Sequence, residues 1–408
     1  MFSQKQYYKF SAYGFLKNLR FFDAFLLLFL VDKGLSYTQI GVLYALREVV
    51  INVFEVPSGL IADSYGRKNA LLLSFILYID SFLLFYFAND FWWFLLAFGL
   101  YGVADAFRSG THKGMIMDYL KLHDWQSHKI NYYGHTRSWS QKGSALSSLI
   151  AGLIVYFGGD FKLVFLYSIV PYVVNLFVVA SYPNNINHAN KPEQRRIGLT
   201  SKTLITVLKQ AEVVKLINSA ALHTAYLKAI KDYIQPLIVH VAVLIPLMSQ
   251  QPIEKKNGLI IGVIYFFIYL GTSRASRMAS VFYGKNKIKS SNLTLLLGFA
   301  LGLLSGLFYL MDLWVFALLL FVGVYLVENL RKPILTGIIS DNVPNEILTS
   351  VLSVQSLVKT VMTALIALSL GILADSFGIA VAFICVSSAL LLLVLLLNYA
   401  LKVSSKVP

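Results

Sequence analysis

Long apolar runs follow one another through this chain with only short polar breaks between them. They fall at about 10–31, 38–60, 69–88, 92–118, 138–157, 162–181, 213–245, 258–280, 291–311, 313–337, 350–373 and 378–402. A bilayer core takes about 20 helical residues to cross. Inside it every backbone N–H and C=O must be satisfied within its own segment, so each run is a helix. The expected fold class is an all-α integral membrane protein with 12 transmembrane helices. The seventh run is too long for one straight span, and Pro236 marks a bend within it.

Of 408 residues, 57% are hydrophobic and 13% charged, roughly half the charge of a soluble domain. That excludes a soluble multidomain enzyme, a disordered chain and a nucleic-acid-binding module. The first run carries Lys17, Arg20 and Asp23 and lacks a small-residue cleavage site, so it reads as a retained span rather than a signal peptide. The single Cys385 has no intrachain partner. The seven histidines lack metal-ligand spacing, and no phosphate-cradling G-x-x-x-x-G-K-[ST] occurs. No nucleophile–base pattern stands out. The expectation is a non-enzyme with no catalytic residues, no metal, no cofactor and no nucleic-acid partner.

Basic residues orient the spans. With the N-terminus inside, the inner connectors hold Arg67, Lys68, Lys121, Lys129, Lys191, Arg195, Arg196, Lys202, Lys209, Lys285, Lys287 and Lys289. The outer ones hold only Lys33, Lys162, Lys255 and Lys256. This asymmetry places both termini in the cytoplasm of an inner-membrane protein, and it accounts for much of the net charge of +15. The longest hydrophilic stretch divides the chain into residues 1–182, a cytoplasmic linker 183–210, and residues 211–408. The halves repeat each other. Asp105, Arg108 and Asp118 recur as Glu328, Arg331 and Asp341, each set of the form acid-x-x-Arg-x9-Asp, and Gly152 pairs roughly with Gly371. Two pseudo-symmetric six-helix bundles follow.

Between spans two and three the chain reads Gly59-Leu-Ile-Ala-Asp63-Ser-Tyr-Gly66-Arg67-Lys68. This resembles the G-x-L-A-D-x-x-G-R-K signature of the major facilitator superfamily, and with twelve spans and a central linker the resemblance covers essentially the whole chain. The residues have direct physical readings: Gly59 permits close helix approach, Gly66 a tight turn, and Arg67 and Lys68 hold the loop at the cytoplasmic surface. The resemblance implies a latch between the halves, with Asp63 and Arg67 as gate residues and Asp118 as the partner of Arg67. The alternative is a loop that only sets topology. The matching connector of the second half is degraded, with Val281 where the acid belongs.

Ionisable side chains in a membrane span are expensive and face a partner or water. Span one carries Tyr13, Lys17, Arg20 and Asp23; span four Tyr101, Asp105, Arg108 and His112. Span seven carries Thr224, Lys228, Lys231, Asp232 and Gln235; span ten Tyr325, Glu328, Asn329, Arg331 and Lys332. The resemblance implies that spans one, four, seven and ten line the central cavity. Arg47 with Glu48, Arg137 with Lys142, Arg274 with Arg277, and Lys359 add further charge. Local pairing is expected for Arg20–Asp23, Asp105–Arg108, Lys228–Asp232 and Glu328–Arg331. These are either structural ion pairs or parts of the transport site. Bases outnumber acids, and an anion entering the cavity would neutralise them. The expected substrate-binding set is Lys17, Arg20, Arg108, Lys228, Lys231, Gln235, Arg331 and Lys359.

The expected function is secondary active transport of a small organic anion or zwitterion, a polycarboxylate or metal chelate included, by a monomer. Protons are the expected coupling ion, with Asp23 and Glu48 ahead of Asp105, Asp232 and Glu328 as sites. The rival reading is a multidrug or metabolite proton antiporter; span five, Gly143 to Gly152, lacks the proline of the antiporter motif.

Overall fold

The structure, a computed structural model, describes residues 4–109, 111–125, 128–187, 210–245, 252–282, 287–343 and 345–404, with some side chains within these ranges excepted. The linker beyond residue 187, the degraded connector and the side chains of Asp63, Arg277 and Asp341 lie outside what is described. Among the described residues all regular structure is helical, arranged as twelve spans. Span one is broken into α1 (Lys5–Lys17), a 3₁₀ turn (Phe21–Ala24) and α2 (Leu26–Asp32). Then come α3 (Tyr37–Tyr65), α4 (Arg67–Phe87), α5 (Phe91–Arg108) with α6 (Thr111–Leu122) as span four, α7 (Lys129–Gly158) and α8 (Leu163–Ala180). Span seven is α9 (Ala211–Ile230), a 3₁₀ turn (Lys231–Tyr233) and α10 (Ile234–Val243). The rest are α11 (Ile253–Phe282), α12 (Lys287–Leu310), α13 (Trp314–Asn342), α14 (Asn345–Phe377) and α15 (Ile379–Ser404). Among the described residues seven helices are long and apolar enough to cross a membrane by length and composition alone. The other five spans, one, two, four, five and seven, carry breaks or the heaviest polar load.

Packing divides the chain into two units. Unit 1 is Met1–Leu35, Leu46–Arg195 and Pro246–Tyr269; unit 2 is Ser36–Ala45, Arg196–Ile245 and Leu270–Pro408. In unit 1, α1 packs against α7 and α8, and α4 against α5 and α8. The interior is aromatic: Phe22, Phe82, Phe85 and Phe165 interlock, with Phe22 stacked on Phe165 at 5.2 Å. In unit 2, Val213, Leu216, Ile217 and Ala220 of α9 bury against Ile334, Leu335, Ile338 and Ile339 of α13 and Val351 of α14.

A helix that stops inside a membrane leaves four carbonyls without intrahelical partners. Those of α1 are all accounted for. Gly14 O accepts from Asn18 Nδ2 at 2.6 Å, Phe15 O from the Asn18 N–H and Leu16 O from the Leu19 N–H. Lys17 O accepts from the Tyr172 hydroxyl at 3.0 Å. Tyr172 belongs to a polar stripe on α8: Asn175 donates to Tyr13 O at 3.2 Å, and Ser168 accepts from the Phe21 N–H at 3.1 Å. Span seven repeats the device. Pro236 has no N–H to give the Asp232 carbonyl, the chain turns at 231–233, and Tyr325 donates to Lys231 O at 2.8 Å.

The first turn of α3 is equally complete. Ser36 and Gln39 form a reciprocal capping box. The carboxylate of Asp375, at the end of α14, accepts from the N–H groups of Tyr37 at 2.8 Å and Thr38 at 2.7 Å.

Removing one partner of a buried hydrogen bond costs about 1–3 kcal/mol. Tyr172→Phe should therefore lower the thermal stability of the purified protein while Ile338→Val, a packing change in the core of unit 2, alters it without exposing the α1 terminus to faster amide exchange. Hydrogen exchange over residues 17–25 checks the distinction.

Candidate functional site

The break in span one puts Lys17 at the end of α1, where its side chain enters a cavity of about 200 Å³. Every lining residue belongs to unit 1. Lys17, Arg108, His112, Lys113 and Arg137 supply the nitrogen groups, Tyr13, Thr136 and Ser140 the hydroxyls, and among the described residues no carboxylate lines it. Arg108 is spoken for. Its guanidinium bonds Asp105 at 2.5 Å and the Tyr78 hydroxyl at 3.0 Å, and Tyr78 donates to Asp105. His112 is stacked on Tyr13 at 3.5 Å, with Nε2 3.2 Å from the Tyr182 hydroxyl. Lys17 differs: among the described residues no carboxylate stands within salt-bridge distance of its amine, Asp23 and Asp105 being held by Arg20 and Arg108. The amine is part-buried among like charges, so an anion placed there gains attraction without first breaking an ion pair.

The signature loop is built at one end of α4. Gly66 has φ +99°, a conformation that side-chain-bearing residues rarely adopt. The Arg67 N–H donates to Asn187 O and the Lys68 N–H to Asn187 Oδ1 at 2.9 Å, so the segment after span six straps the loop. Lys68 Nζ reaches Tyr182 O at 2.8 Å. Arg67 pairs with Asp118 at 2.7 Å, lying across Gly114, where any Cβ would press on the guanidinium.

In unit 2, Glu328 is almost fully buried and accepts from His223 Nδ1 at 2.7 Å and Thr224 Oγ1 at 2.5 Å. His223 is wholly buried, and its Nε2 has no hydrogen-bond partner among the described residues. It faces Gly298, where a Cβ would overlap the ring. Arg331, 1% exposed, donates to Thr294 Oγ1 at 2.7 Å and to Ser219.

The expected residues fare unequally. Lys17 and Arg108 meet at the cavity, while Arg20 is held outside it by Asp23 at 2.8 Å and the Tyr101 hydroxyl. Glu48 is fully buried beside Arg47, 3.4 Å away. Gln235 is buried on α10, and Lys228 lies on the last turn of α9. Lys359 reaches Ser356 at 3.3 Å. Two pairings are corrected. Asp232 meets Lys231 at 3.4 Å rather than Lys228, because the break at 231–233 removes the i,i+4 register of a continuous helix. Glu328 is taken by His223 and Thr224 rather than Arg331, since α9 offers them directly and Arg331 reaches across to α12. Gly59 is also corrected: no described atom comes within 4 Å of where its Cβ would stand, so it makes no close helix contact here. The residues that sequence reading missed are His223, Gly114, Tyr182 and Asn187. A histidine in an apolar run was the available signal for the first.

A family model described as Major Facilitator Superfamily matches residues 18–367. An uncharacterized MFS-type transporter of Bacillus subtilis (strain 168), YxaM, is 23% identical over 97% of this chain and 96% of its own. Among solved structures, the nucleoside transporter NupG superposes with a TM-score of 0.72 at 11% identity, covering 98% of this chain and all of that one. The peptide transporter POT in complex with sulfate gives 0.69 at 13% identity, covering 98% of this chain and 94% of its own. These solved structures share the fold.

Relieving an uncompensated buried charge stabilises a protein. Lys17→Met should raise the melting temperature of the ligand-free protein by about 2 °C or more, read by thermal shift in detergent. A fall would mean that the amine is neutralised in the empty cavity.

Proposed function

The chain belongs to the major facilitator superfamily, and from that premise we propose that it carries a small organic anion or zwitterion by alternating access. It is a multi-pass membrane transporter, not an enzyme. The observation that carries the anionic reading is the cavity of unit 1, where four cationic side chains and a histidine converge with no carboxylate among the described lining residues. An electrostatic surplus of this kind favours a guest whose carboxylate or phosphate accepts charge-assisted bonds from Lys17 and Arg137, with Arg108 beside them in its pair with Asp105. Tyr13, Thr136 and Ser140 suit the neutral polar groups of a zwitterion or a hydroxy acid.

Lys228, Lys231, Gln235 and Lys359 are assigned to the same task in unit 2, where Arg331 instead holds α9, α12 and α13 together. Protons are the proposed coupling ion. Glu328 is the favoured site, because it is buried and its hydrogen-bond partner His223 is itself titratable. Asp23 and Asp105 are committed to arginines, which argues for a positioning role. Arg67 with Asp118 is the proposed cytoplasmic latch, the two bundles 1–182 and 211–408 being joined by the linker. Also proposed is a monomer in the inner membrane with both termini inside.

The test is uptake into proteoliposomes from a panel of carboxylates, phosphate esters, neutral sugars and organic cations, with and without a pH gradient. Anion uptake should fall about tenfold or more in Lys17→Gln, with Glu328→Gln losing the response to the gradient. Uptake confined to cations or neutral solutes would end the anionic reading, and a gradient response that survives Glu328→Gln would return proton coupling to Glu48 or Asp232.

A further inference from the structure

Span four is two helices, and the second is placed unusually. At Ser109 the chain leaves helical geometry (ψ 126°), ending α5, and α6 runs for only 12 residues before its own end at Leu122. His112, Lys113 and Ile116 of α6 line the cavity. Gly114 and Asp118 of the same helix receive Arg67. At 3.6 residues per turn these two sets lie on opposite sides of α6. One short helix therefore separates the cationic cavity from the signature loop and touches both.

A second connection runs beside it. Tyr182, 2% exposed, joins the two places through different atoms. Its hydroxyl meets His112 Nε2 at 3.2 Å, on the cavity side. Its carbonyl accepts from Lys68 Nζ at 2.8 Å, on the loop side. Five residues on, Asn187 holds the backbone of Arg67 and Lys68.

We infer that α6, with Tyr182 as a parallel strut, is the lever that couples occupancy of the cavity to the Arg67–Asp118 contact. The inference rests on reading the cavity as the binding site and adds the residues that transmit its state: Gly114, Asp118, His112 and Tyr182. Coupling needs an element that both sites bias, and α6 is bounded by the break at Ser109, so it has a place to turn. An anion drawn against the His112–Lys113 side pulls α6 toward the cavity and away from Arg67. By linkage the reverse also holds: releasing Arg67 must alter the cavity.

That reciprocity gives a test in which the probe is a charged thiol reagent. In full-length protein with Cys385→Ser, Ser140→Cys places one thiol at the cavity wall. Its rate of modification is measured with anionic sulfonatoethyl and cationic trimethylammonium-ethyl methanethiosulfonates. Faster reaction with the anionic reagent supports the cavity reading; equal rates, or a faster cationic reagent, overturn that reading, and the lever is then judged on the latch variants alone. Arg67→Gln and Asp118→Asn should each change the rate at position 140 by about fivefold, and the double variant by no more than either alone. Tyr182→Phe, which keeps the carbonyl and ring, should also shift the rate while the bond from Lys68 persists. Lys162→Gln, on the surface of the same unit beside Asp160, should leave it unchanged. Rates within about twofold of the parent in both latch variants overturn the lever. Should Arg67→Gln fail to fold, Gly114→Ala takes its place, since the added methyl displaces the guanidinium without removing a charge.

Discussion

Peptide groups cannot be left unpaired in hydrocarbon, and the architecture of this protein follows from how that rule is met where helices stop. Spans one and seven both break in mid-course, and both breaks are repaired by hydroxyl or amide side chains from neighbouring helices. The repair lets the chain turn, and the turn sets a lysine at each break, Lys17 and Lys231, which a straight apolar helix would not present in this way. The polar stripe Ser168, Tyr172 and Asn175 is thus a condition of the cavity although none of its members lines it.

The acid-x-x-Arg element recurs in both halves and is used differently in each. In the first half, Asp105 and Arg108 stay together and are joined by Tyr78. The result is a neutral pair at the cavity wall, against which the amine of Lys17 stands out. In the second half, Glu328 has changed partner to a histidine, and Arg331 has become a buried brace among α9, α12 and α13. One copy keeps its acid and arginine together beside the cavity; the other gives the acid to a histidine and the arginine to the packing of three helices.

The sequence revealed the spans, the duplication and the Arg67–Asp118 partnership, because each depends on properties that local pattern records: run length, fixed offset and a short motif. The bend near Pro236 was legible for the same reason, a missing donor. What stayed hidden depends on contacts between distant segments. Periodicity along α13 offers Arg331 to Glu328, yet a buried carboxylate goes to whichever donors tertiary packing brings, here His223 and Thr224. Gly114 carries no mark of its task, since the room it leaves is used by an arginine 47 positions earlier. Charge counting found the cationic surplus but not its distribution: Arg20 and Arg331 are absorbed, and Lys17 is not.

Asp375 has a consequence for how the molecule is made. It completes the first turn of α3 from a point far along the polypeptide, with span eleven almost fully threaded. During synthesis α3 leaves the ribosome long before its distant carboxylate exists, so two of its leading amides wait on water until the eleventh segment arrives. Maturation of an early span is therefore deferred to the close of translation, and a product truncated ahead of residue 375 inserts its opening segments without ever sealing that end.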